Sequence, residues 1–125
     1  MSYSCSPEIT NAAIDKAVED GQVVVGSKPD LLLLDLDGPL AVSIYEARLK
    51  RLGNNLGAIE IDRWQSKTPG NMHVVVKLDR PVSALGRIAL QACLGSDHTR
   101  EFLAVLLVMQ GLPEPSSLFK PKSEQ

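Results

Sequence analysis

A chain of 125 residues, 44% hydrophobic and 22% charged, fits one small soluble domain with a core of its own. Its two cysteines, Cys5 and Cys93, lack spaced partners, which excludes a disulfide framework or zinc knuckle and predicts a reducing, cytoplasmic setting. A net charge of −2 excludes an indiscriminate polyanion binder, and no apolar run approaches the roughly 18 residues of a membrane span.

Pro7 to Asp20 reads as an amphipathic helix, with Ile9, Ala13 and Ala17 at helical spacing and Gly21 as its stop. Its acids, Glu8, Asp15, Glu19 and Asp20, argue against a secretory signal. Gln22 to Val25 fits a short strand, and the Gly26–Asp30 stretch a turn. Leu31 to Asp37 follows as a strand, oily until its last two acids. A helix is predicted from Leu40 to about Leu52, opened by Pro39 and stopped near Gly53.

Ala58 to Trp64 alternates, with Ile59 and Ile61 on one face and Glu60, Asp62 and Trp64 on the other. Met72 to Arg80 alternates again, and the Ser66–Asn71 segment between them, with its Pro-Gly pair, predicts a hairpin. Ser83 then caps a helix ending at Gly95, and Ser96 or Asp97 caps a last one that runs to Gln110. Its wholly apolar stretch from Phe102 to Met109 predicts burial on several sides, with Arg100 and Glu101 in a solvated first turn.

Residues 1–112 therefore read as a single α+β domain: an N-terminal helix and linker over 1–30, a core over 31–111, and a flexible tail over 113–125. The core order of strand, helix, strand, strand, helix is that of the ferredoxin-like, RRM-like split βαβ fold, an antiparallel sheet with helices on one face. A fourth strand is expected from Gln22–Val25 or from Leu118-Phe119. The sheet's other face is expected to be open.

Charge is distributed unevenly along this order. Acids dominate up to Asp37, whereas Arg48, Lys50, Arg51, Arg63, Lys67, Lys77, Arg80 and Arg87 outnumber the acids of the middle. A basic middle in a mildly acidic chain permits local phosphate contact and fits a solvated surface equally well.

Strand pleating groups the polar residues. If the helices cover Leu32, Leu34, Leu36, Ile59, Ile61, Val74 and Val76, then Asp35, Asp37, Glu60, Asp62, Trp64, His73 and Lys77 share the opposite face. Two carboxylates on one rigid strand repel each other, and a divalent cation relieves that repulsion. The Asp37-Gly38-Pro39 sequence is also a strong turn signal, so Asp37 has a structural reading too. Trp64 reads as a packing residue over the hairpin.

The pattern Leu-Asp35-Leu-Asp37, followed by Asn71-Met72-His73 opening a later strand, resembles the first two motifs of archaeo-eukaryotic primases and primase-polymerases. The likeness covers Leu31 to Gly111, and the Leu94-Gly95-Ser96-Asp97 segment is the candidate for the family's third acidic motif. It implies template-directed nucleotidyl transfer with divalent Mg²⁺ or Mn²⁺ held by Asp35, Asp37 and Asp97. His73 would contact the incoming nucleotide's phosphates, so Asp35, Asp37 and His73 form the implied catalytic set. By the pleat argument alone, Lys77, Lys67 and Arg63 are phosphate or template contacts. The partners implied are nucleotides, a single-stranded nucleic acid template and a replication protein of a phage or other mobile element.

The chain is short for a self-sufficient primase, and helix capping accounts for Asp97 equally well. Two other readings therefore stand beside the enzyme. One is an inactive RRM-like module that binds single-stranded nucleic acid, which an aromatic content of 4% serves poorly. The other is an interaction or inhibitory module that docks through its oily last helix.

Overall fold

The structure, a computed structural model, describes the backbone of residues 7–121 and the side chains from residue 12 onward. In chain order the elements are α1 (Pro7–Glu19), β1 (Gln22–Gly26), β2 (Leu31–Leu36), α2 (Pro39–Leu56), β3 (Ile59–Gln65), β4 (Met72–Lys77), α3 (Ala84–Cys93), α4 (His98–Met109) and β5 (Ser117–Pro121). Cys5 and the side chain of Ile9 lie outside the described residues.

The α+β class and the split βαβ arrangement hold. β2, β4 and β3 form an antiparallel sheet in that order, with β3 and β4 joined as the predicted hairpin. One face of it packs on the helices: Leu32, Leu34, Leu36, Val74 and Val76 bury against Tyr45 of α2 and Leu94 after α3. Leu33 and Val75 point the other way and are buried as well. β2 is thus covered on both faces, which is why it reads as an unbroken leucine run rather than an alternation.

The second cover corrects the expectation of an open face. β1 and β5 do not add to the main sheet; they pair with each other, Val24 opposite Phe119. Leu118 packs on Leu33, Trp64 and Val75, and the Trp64 indole donates to the Phe119 carbonyl at 3.1 Å. Residues 117–121, expected within a loose tail, therefore form a strand. Burial of Leu118 and pairing with β1 outweigh the Pro/Ser/Lys-rich composition around it.

Two helices also differ from expectation. α2 runs through Gly53 and stops a turn later at Gly57, whose φ of 59° is left-handed and whose amide closes onto the Gly53 carbonyl. Gly53 lies inside the helix, where its backbone passes close to the Ala58 carbonyl, a Cβ there standing 3.3 Å from that oxygen. α4 is not buried on several sides: Glu101, Ala104 and Leu107 form its buried stripe, whereas Phe102 and Met109 are exposed.

β3 shows the largest departure. A β-bulge between Glu60 and Asp62 shifts the register, so Glu60 opposes Val76 on the helix side, where Arg63, opposite Val74, already lies. Ile59 and Ile61, expected in the core, are exposed. One inserted residue reverses the facing of every residue beyond it, and strict alternation cannot announce that.

Candidate functional site

Register brings the two strongest candidates together. Asp35 on β2 stands directly opposite His73 on β4, and His73 in turn stands opposite Trp64 on β3. The His73 Nε2 lies 3.5 Å from Asp35 Oδ1, within ion-pair reach, while the Trp64 ring meets the imidazole edge-on at a centroid distance of 5.6 Å. His73 is therefore held between a carboxylate and an indole. Its Nδ1 is buried and is the one such side-chain nitrogen or oxygen among the described residues without a hydrogen-bond partner.

Asp37 follows just after β2, where Gly38 turns the chain with a φ of 94° and Pro39 opens α2. Its Oδ1 accepts from the Asn71 side chain at 2.7 Å, which ties the end of β2 to the β3–β4 loop. The turn reading of Asp37 is thus correct, and its carboxylate faces a cavity all the same. That cavity, about 370 Å³, is lined by Asp35, Asp37 and His73 on one side, by Lys67 and Asn71 of the loop, and by Gln22 and Phe119 of the small sheet. The β1–β5 sheet walls the cavity rather than filling it.

The two acids differ electrostatically. The His73 imidazole beside Asp35 holds that carboxyl below the ordinary aspartate range; burial opposes this, and the Arg100 charge adds to it. Asp37 is shifted the other way, first by burial and then by the negative charges of Asp35 and Asp97. The ionised form of Asp35 is thus favoured by its neighbours and that of Asp37 disfavoured.

The remaining nominated residues separate. Lys67 lies on the cavity wall and is exposed. Lys77 is paired with Asp30 and stands opposite Leu31, four residues along the sheet from His73, or about 13 Å at strand spacing. It is not part of this site. Arg63 lies on the helix side, bridging Glu60 at 2.7 Å and Glu46 at 3.3 Å over the Tyr45 ring; plain alternation with Trp64 puts it there, away from the cavity. Glu60 accepts the Tyr45 hydroxyl on that same side, and Asp62 is bound by Lys120.

Asp97 caps α4: its carboxylate accepts from the Arg100 amide at 3.1 Å, while its own amide donates to the Asp35 carbonyl at 2.8 Å. With Asp37 it lines a neighbouring groove at the start of α2, so it stands beside the pair without joining the cavity that holds Asp35 and His73. Among the described residues, no group of three or more His, Cys, Asp or Glu side chains is arranged to hold a metal ion. Asp35 and Asp37 are the two that share a cavity wall, and Mg²⁺ is commonly held by one or two carboxylates with water and phosphate oxygens completing its shell.

A cluster that sequence patterning did not single out adjoins this site. Gln91, Ser96 and Glu101 are buried at the outer edge of β2, joined there by Arg100. Glu101 was expected in a solvated turn; it shares the buried stripe of α4 with Ala104 and Leu107. That spacing, a carboxylate three residues before an apolar stripe, is the signal that marks it.

No helix among the described residues is long and apolar enough to cross a membrane. Compared with protein-family models, curated proteins and solved structures, the chain matches none.

Proposed function

We propose that the chain is a small primase-like nucleotidyl-transfer domain of a replication system, whose cavity receives a nucleotide's phosphates together with a divalent cation on Asp35 and Asp37. The observation that carries this reading is the direct opposition of Asp35 and His73 on adjacent strands, with Asp37 and Lys67 around the same cavity. An acid pair, an imidazole and an ammonium facing one space of this size suit a phosphate–cation ligand better than an apolar one.

The residues fit Mg²⁺ or Mn²⁺ on two counts. Asp35 and Asp37 present carboxylate oxygens to the same cavity, and Asp37 carries, besides the effect of burial, repulsion from Asp35 and Asp97 that a cation would relieve. When bound, the cation would neutralise phosphate oxygens and favour ionisation of an attacking hydroxyl. Asp35 stays anionic because His73 holds its carboxyl low, and His73 is fixed in orientation by Asp35 and Trp64. Lys67 supplies a mobile positive charge at the cavity wall.

Capping of α4 by Asp97 favours a second reading, in which the same cavity binds a nucleotide without transferring it. Single-stranded nucleic acid laid across an open sheet face is disfavoured, because Leu118 and the β1–β5 sheet cover much of that face. The test is Mg²⁺- or Mn²⁺-dependent nucleotide incorporation on a single-stranded template, with the Asp35→Ala/Asp37→Ala double variant as control. Incorporation by the wild type and its loss in the double variant are expected. Incorporation that persists in the double variant removes the site; nucleotide binding without incorporation selects the second reading.

A further inference from the structure

β2 is an edge strand: β4 pairs with one side of it, and no strand pairs with the other among the described residues. Backbone groups along a covered edge need partners. Here side chains and one amide supply them. The Leu33 amide donates to Gln91 Oε1 at 2.9 Å, and the Asp35 amide donates to Ser96 Oγ at 3.0 Å. The Leu33 carbonyl accepts from Arg100 Nη1 at 2.9 Å, and the Asp35 carbonyl accepts from the Asp97 amide at 2.8 Å. Two alternate residues have both backbone groups satisfied, as a neighbouring strand would satisfy them.

Glu101 locks these substitutes together. Its buried carboxylate accepts from Gln91 Nε2 and Ser96 Oγ, each at 2.7 Å, and from Arg100. Burying a carboxylate is costly, and apolar side chains of equal volume would hold a core as well or better. Apolar side chains could not, however, fix two amides and two carbonyls on one strand edge. The arrangement makes sense as a device for register rather than for burial.

We infer that Gln91, Ser96, Arg100 and Glu101 are positioning residues for the Asp35–Asp37 pair, acting as a surrogate strand that sets the end of β2 against His73. The inference takes its functional meaning from the cation–phosphate reading of the adjoining cavity. Leu33 and Asp35 are the residues held, so these side chains fix the half of β2 that leads into the acid pair. Asp97 contributes its amide to the same edge, which gives the cap a role in placing Asp35 even though its carboxylate is turned to α4.

The test is made on the full chain with two readouts: the hydrogen-exchange rate of the Asp35 amide relative to that of Val75 on β4, and the affinity for Mn²⁺. Ser96→Ala is expected to raise the relative exchange rate about tenfold and to weaken Mn²⁺ binding about tenfold. Leu78→Ala, a buried position just past the far end of β4, is expected to lower the melting temperature without moving either readout. Should Ser96→Ala fail to fold, Arg100→Lys keeps the charge while removing the planar fork, and the same changes are expected of it. A wild-type exchange ratio and affinity in a folded Ser96→Ala or Arg100→Lys variant would overturn the inference. Absence of Mn²⁺ binding in the wild type sinks the cation reading instead; the Asp35 exchange ratio still decides the positioning.

Discussion

Gln91 Oε1 accepts the amide of Leu33 at 2.9 Å across 58 residues of sequence, from a side chain with no solvent exposure. The same side chain donates to Glu101, so one glutamine joins the sheet edge to both final helices. Gln91→Ala leaves the Leu33 amide without its partner and opens a small void. The expected loss is about 2–3 kcal/mol, read as a lower urea midpoint with an unchanged denaturant slope. A loss under about 0.5 kcal/mol would mean that water replaces the glutamine at that edge.

Asp35 and Asp37 are expected to give stability opposite pH dependences. Asp35 has a lowered carboxyl, so its contribution is present above the unfolded value near 4 and is lost as pH falls through its folded value. Asp35→Asn should therefore destabilise at pH 7 by about 0.5–1 kcal/mol, with the deficit closing in acid.

Asp37 has a raised carboxyl, so its ionisation costs stability as pH rises through the folded value. Asp37→Asn keeps an acceptor for Asn71 and removes the repulsion. It should match the wild type below about pH 4 and exceed it slightly at pH 7, by at most about 0.5 kcal/mol given the exposure of the group. Thermal melts of both variants from pH 3 to 8 check the two signs together.

Lys67 and Lys77 separate cavity from surface. Lys67→Ala should weaken nucleoside triphosphate binding several-fold and reduce its salt dependence, whereas Lys77→Ala should leave both unchanged because Asp30 holds that ammonium elsewhere. Fluorescence titration with a labelled triphosphate at two salt concentrations distinguishes them. Equal effects of the two substitutions would place the phosphates outside this cavity.

What sequence patterning could reach follows from the range of each signal. The split βαβ order, the hairpin and the Ser83 cap rest on local periodicity and turn chemistry, and all three are present. The common face of Asp35 and His73 followed from period-two pleating on two regular strands, whereas their direct opposition is a matter of register that pleating does not give. That same rule failed on β3, where the Ile61 bulge reverses the facing of Ile59 and Glu60 and takes Glu60 to the helix side. The pairing of β1 with β5 was out of reach because two five-residue strands far apart in sequence carry no mark of their partner. Glu101 was missed for a different reason: a charged residue near a helix start is ordinarily solvated, and only its place on the Ala104–Leu107 stripe betrays burial.

The central claim is that Asp35 and Asp37 together seat a divalent cation next to His73. Paramagnetic broadening by sub-stoichiometric Mn²⁺ tests it most directly, through the ring resonances of His73 and the indole of Trp64. The account predicts selective broadening of these signals in the wild type and none in Asp35→Asn/Asp37→Asn. Broadening centred elsewhere, or unchanged in the double variant, would contradict it.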